Sequence, residues 1–127
     1  MGIRFKILEK INPSKINEPM KYYATIAFGE TITDDVLIKK MTDICSVNDI
    51  DITTTLIALS RVVQQELKEG CIIKIKGLGT FYPSIKSEGT TELKKANTSL
   101  IKAVGAGFRP ASELKKILAS ADLERVK

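Results

Sequence analysis

A chain of 127 residues with 43% hydrophobic composition has the length of one domain and enough apolar material to fold. No stretch approaches the roughly 18 apolar residues of a membrane-spanning helix, and the start lacks the unbroken apolar core of a signal peptide, so a cytoplasmic protein is expected. The net charge of +5 is divided unevenly, +3 over residues 1–27, −4 over 28–70 and +6 over 71–127, which points to a polyanion partner on one side of the molecule and no membrane.

In chain order, Ile3-Arg4-Phe5-Lys6-Ile7-Leu8 alternates apolar and basic residues, the pattern of a strand. Asn12-Pro13-Ser14-Lys15 and Glu18-Pro19 punctuate a loop. Residues 21–28, with Tyr22, Tyr23, Thr25, Ile26 and Phe28, form a second strand candidate, so the two runs pair as a hairpin with a long loop. Thr33 suits a helix N-cap, and Asp34 and Asp35 follow where the helix dipole favours negative charge. Leu37, Ile38, Met41, Ile44 and Cys45 make a one-sided apolar stripe. After a short connection over residues 46–50, Asp51 or Thr53 caps a second helix. Its stripe of Leu56, Ile57, Leu59, Val62, Val63 and Leu67 is wide enough to be covered from more than one direction. Gly70 is placed as the C′ residue that stops it. Two such helices form an αα-hairpin.

Ile73 and Ile75 then alternate with Lys74 and Lys76, a strand with one buried and one wet face. Gly77-Leu78-Gly79 allows a sharp turn, and Thr80, Phe81 and Tyr82 restart an extended run. Residues 83–107 have little apolar pattern. A structureless loop of that length is unusual, so a two-stranded projecting arm, or a partly disordered one, is expected. Phe108-Arg109-Pro110 closes it, with Pro110 suited to the first turn of a helix. Leu114, Ile117 and Leu118 mark that helix, Lys115 and Lys116 point away from it, and a polar tail follows. Cys45 and Cys71 lie among apolar neighbours and read as buried free thiols. With no histidine in the chain, a metal site has too few ligands. The lone GxG lacks the third glycine and the βαβ setting of a nucleotide fingerprint. No carboxylate pair sits in a recognisable site, so no enzyme, cofactor or small-molecule substrate is expected.

From Thr33 to Leu118 the order is helix, helix, strand, GxG turn, strand, arm, FRP, short helix. Two stretches, EGCIIKIKGLGTF and FRPASELKK, resemble the centre and the closing segment of the bacterial HU/IHF family. The N-terminal part looks like the extension of a divergent HU-related branch common in Bacteroidetes. The resemblance implies an α+β HU/IHF-like fold. Its parts are an N-terminal β-hairpin extension (residues 1–30), an HU-like domain (31–120) with an αα-hairpin, a three-stranded antiparallel sheet with a projecting β-arm and a short C-terminal helix, and a tail (121–127). It also implies an intertwined homodimer in the nucleoid, binding mostly double-stranded DNA with low sequence specificity.

Carried over by position, Arg109, Lys115 and Lys86 would meet phosphates or the groove. Lys94, Lys95 and Lys102 are the remaining arm charges, and Lys74, Lys76 and Lys116 complete the basic candidates. Gly77 and Gly79 would be structural, as would Pro110, and Phe81 and Phe108 would fill the dimer core. The family's arm-tip Arg-Asn-Pro is missing and Ser84 replaces a usual basic residue. Electrostatic binding without a strong kink is therefore expected. The competing expectation is a protein-interaction module that kept the scaffold and lost its DNA grip.

Overall fold

The computed structural model describes residues 2–10, 17 and 19–126. Their elements run β1 (Ile3–Lys10), β2 (Lys21–Ala27), α1 (Asp34–Ile44), α2 (Asp49–Lys68), β3 (Ile73–Ile75), β4 (Gly79–Ser87), β5 (Ile101–Pro110), α3 (Ser112–Ala119) and β6 (Leu123–Arg125). The class is α+β, with three helices and two three-stranded sheets. Two compact units emerge, residues 1–33 with 117–127, and residues 34–116.

In the first unit the apolar-basic alternation becomes β1, which pairs antiparallel with β2 from Arg4 opposite Ala27 to Lys10 opposite Lys21. The expected hairpin is present, while Asn12, Pro13, Ser14, Lys15 and Glu18, read as loop signals, lie outside the described residues. Directly opposite residues share a face. Phe5 and Ile7 therefore join Ile26 and Ala24 on an apolar side, while Arg4, Lys6, Lys10 and Lys21 lie on the other. Tyr22 and Tyr23 fall on opposite faces, and both are exposed rather than packed into a core.

The polar tail contains a strand, β6. β6 pairs in parallel with the other edge of β1, Ile3 opposite Leu123 and Phe5 opposite Arg125. The Ile3 amide donates to the Asp122 carbonyl and the Val126 amide to the Phe5 carbonyl, each at 2.8 Å. A free edge of β1 offers unpaired backbone groups, and a short polar segment can satisfy them without an apolar signature.

In the second unit α1 starts at Asp34, directly after Thr33. The cap of α2 is Asn48, not Asp51 or Thr53: its side-chain oxygen accepts from the Asp51 amide at 2.9 Å. The Asn48 side-chain NH2 in turn donates to the Asp51 carboxylate at 3.2 Å, which holds the capping side chain in place. Gly70, at φ 84°, is the C′ residue. Its amide donates to Leu67 and that of Cys71 to Glu66, the paired bonds of a Schellman ending.

One face of α2 packs against α1, β3 and β4. Ile52 is the buried apolar side chain among the described residues, at 4% exposure, with Leu56, Val63 and Leu67 half-buried along the same helix. The rest of the stripe is open: Ile57, Leu59 and Val62 are exposed, as are Ile44 and Ile50. Cys45 and Cys71 are free but exposed on this chain, which corrects the expectation of burial. Each lies just past the end of a helix, Cys45 after α1 and Cys71 after Gly70, beyond the half-buried stripes.

Candidate functional site

The second sheet has strand order β3-β4-β5, all antiparallel neighbours. Its entry is the turn Ile75-Lys76-Gly77-Leu78, closed by the Leu78 amide donating to the Ile75 carbonyl at 3.1 Å. Gly77 sits at φ 83°, the third position of a type II turn, where a Cβ is disfavoured. Gly79 is needed for space: an added Cβ would meet the Arg109 carbonyl and lie 2.8 Å from the Phe108 ring. These two glycines bring β3 and β5 onto β4.

Register then sorts the side chains. Ile73 is opposite Phe81, and Phe81 opposite Phe108, whose rings sit 4.9 Å apart; Ile85 and Val104 continue this apolar face outward. On the reverse face, Lys74, Thr80 and Arg109 lie side by side across all three strands. Tyr82, Ser84 and Lys86 follow them along β4. The Arg109 guanidinium lies over the Tyr82 ring at 4.8 Å, a cation–π contact that holds it flat on the sheet. Tyr82 in turn lies across Gly107, where an added Cβ would collide with the ring. Tyr82 escaped sequence reasoning. The signal was available, because counting by twos along β4 places it with Thr80 and Lys86.

β3 ends against Phe81, so β4 has an open edge from Tyr82 outward, which is why Pro83 is tolerated in it. β4 and β5 continue as a two-stranded ribbon to Ser87 and Ile101, with a register shift at Lys86/Ser87. The expected arm is thus two-stranded. Its tip, residues 88–100, carries two short 3-10 turns, Leu93–Lys95 and Thr98–Leu100. Lys94 is exposed there, whereas Lys95 meets Glu92 at 3.4 Å and Lys102 meets Glu88 at 3.3 Å. Exposed pairs of this kind contribute about 0–1 kcal/mol and yield readily to a competing anion.

Pro110 ends β5 opposite Gly79 and does not open α3, correcting that expectation. A strand end asks nothing of the amide that proline lacks. Lys76 lies in the turn, and Lys115 and Lys116 are exposed on α3. Lys74, Lys86 and Arg109 therefore share one face; Lys76, in the turn, lines one cavity with Lys74, Thr80 and Glu113, while Lys94, Lys95, Lys102, Lys115 and Lys116 stand outside this row. Among the described residues no group of three or more His, Cys, Asp or Glu could hold a metal ion. Among the described residues no helix is long and apolar enough to cross a membrane.

The family described as an HU domain fused to wHTH, Ig or a glycine-rich motif matches residues 1–125. A crystal structure from Bacteroides vulgatus ATCC 8482, of a bacterial protein whose name marks DNA binding as a suspected role, superposes with a TM-score of 0.70 at 9% identity. The alignment covers 98% of this chain and 48% of that one, so the chain spans about half the length of that structure. At that identity the likeness concerns the fold. No curated protein matches.

Proposed function

The chain belongs to the family of HU domains fused to wHTH, Ig or glycine-rich motifs, and from that premise we propose that it is a non-enzymatic, sequence-tolerant binder of double-stranded DNA. It acts in the nucleoid as a homodimer, with residues 31–120 as its HU-like domain. The observation that carries the reading is the row Lys74-Thr80-Arg109 on one face of the sheet, continued by Lys86 along the ribbon. Glu113 borders the row at the turn, where it lines one cavity with Lys74, Lys76 and Thr80. Arg109 offers a planar guanidinium and the lysines compact charges, a set suited to phosphate oxygens and blind to base sequence.

Support for two copies comes from apolar side chains left open on this chain. A chain with 43% hydrophobic composition keeps one large apolar side chain buried among its described residues. Ile57, Leu59 and Val62 of α2, together with Phe108 of the sheet, stay open to water. Apolar area costs about 25 cal/mol per Å² to leave hydrated, so a second copy covering these stripes is strongly favoured.

The test is a salt-titrated gel shift on mixed-sequence duplex. Binding is expected at low salt, with Arg109→Ala and Lys86→Ala weakening it alike on all sequences and each lowering the salt slope by about one. Absence of any shift at about 50 mM salt overturns the reading. The second reading, a protein-interaction module on the same scaffold, draws on the Glu92 and Glu88 pairs that neutralise two arm lysines. It gains if charge reversal at Lys94 and Lys102 leaves DNA retention untouched.

A further inference from the structure

The arm and its sheet leave one strongly charged surface unused, on the N-terminal sheet. Residues 1–27 contain five basic side chains, and four of them, Arg4, Lys6, Lys10 and Lys21, lie on one face of the β1–β2 pair. Tyr23 and Leu8 lie among them, opposite each other in the register, and Tyr23 is exposed. Glu9 falls on the reverse face, and the carboxylates on the basic side are at the sheet's edge, Glu124 of β6 opposite Arg4 and Asp122 beside Gly2.

Lys10 and Lys21 are directly opposite, an arrangement that repels. The Lys10 ammonium instead sits 5.7 Å from the Tyr23 ring centroid. Solvated faces ordinarily mix both signs of charge. This one concentrates cations on two adjacent strands, with like charges paired and the balancing carboxylates, Glu124 and Asp122, confined to the edge.

We infer that this face is a second surface for the sugar-phosphate backbone of duplex DNA, separate from the ribbon formed by β4 and β5. The strand repeat places Arg4, Lys6 and Lys10 along about 20 Å, since each residue advances roughly 3.4 Å. That length matches about six base-pair steps of a duplex strand. The backbone is a linear array of charges, and a linear array of cations fits it. A lipid surface fits less well, because membrane-surface elements set their cations beside a broad apolar face. Here, among the described residues of β1 and β2, Leu8 is the one bulky aliphatic side chain on the basic side.

The choice of occupant rests on the DNA reading above, whereas the location rests on this sheet alone. The experiment measures the salt dependence of duplex binding by the full chain and three variants. The quadruple variant Arg4→Gln, Lys6→Gln, Lys10→Gln, Lys21→Gln is expected to lower the slope of log K against log salt by about 3 to 4. The milder pair Lys6→Gln, Lys10→Gln, whose exposed positions leave the fold intact, is expected to lower it by about 2. An unchanged slope in both, with a lowered slope for Lys86→Gln, Arg109→Gln, overturns this inference and leaves the arm reading standing. The reverse pattern supports the inference and removes the arm. No binding by the unmodified chain overturns both. Retention on phosphatidylserine vesicles that the quadruple variant loses, with its DNA slope unchanged, assigns the face to lipid and overturns the inference.

Discussion

Cys71 follows the glycine that ends α2, and its surroundings set its reactivity. Partial desolvation, a hydrogen bond to Glu66 and the negative charges of Glu66 and Glu69 push its thiol above the ordinary range. A raised value means less thiolate at any given pH, so alkylation of Cys71 is expected to be slow near neutrality and to accelerate at a higher pH than for an ordinary thiol. Glu66→Gln removes both the acceptor charge and its field, and must shift that acceleration to lower pH. Mass spectrometry of iodoacetamide labelling across a pH series reads this directly, and an unshifted profile in the variant contradicts the assignment. At the same scale, the contact between Arg109 and Tyr82 shows how a cation is given a fixed place without an ion pair. The arginine was visible in the sequence as part of FRP. Its aromatic platform was not, because the two meet diagonally across a ladder whose register no single residue announces.

Among the elements, α2 is the longest helix, with 20 residues, and its first turn shows why local signals compete. Residues 46–55 contain Ser46, Asn48, Asp49, Asp51, Thr53, Thr54 and Thr55, all able to bond nearby backbone. Three of them, Thr53, Thr54 and Thr55, donate back into the helix to Asp49, Ile50 and Asp51. Asn48 alone stands in extended backbone before the helix with its oxygen on the Asp51 amide. Asn48→Ala is expected to destabilise the fold by about 1 kcal/mol, lowering the thermal midpoint by about 4 °C; Ser46→Ala should leave it within error. Calorimetry on the two variants decides between Asn48 and its neighbours. Gly70 and the Gly77-Leu78-Gly79 turn were legible from sequence, because positive φ and close approach leave few other residues able to serve. The strand at Leu123–Arg125 was not, since its reason for forming is the open edge of β1.

For the molecule as a whole, the unequal treatment of the α2 stripe is the central fact. Ile52 is buried, while Val62 and Ile57, also on α2, are at least half exposed. The sequence reading that this stripe needs covering from more than one direction has its physical counterpart in those open residues. A concentration-dependent species of about twice the 14.0 kDa chain mass is expected in sedimentation velocity. Val62→Glu, which puts a charge into the open stripe without touching the basic faces, should return the chain to monomer and weaken duplex binding by removing half its contacts. A monomer at every concentration tested rejects the two-copy arrangement.

The sequence by itself determined what depends on near neighbours: strand and helix periods, glycine positions and the blocks of positive and negative charge. From these the αα-hairpin, the GxG turn, the arm and the basic character of its sheet could be read. Tertiary structure alone decided which distant residues stand side by side. Thr80 lies between Lys74 and Arg109, Lys10 faces Lys21, and a polar segment near the C-terminus completes a sheet begun at Ile3. The reason is that strand partners are fixed by backbone hydrogen bonds, which every residue except proline offers equally. Register is therefore settled by packing across the whole chain, and no short stretch encodes it.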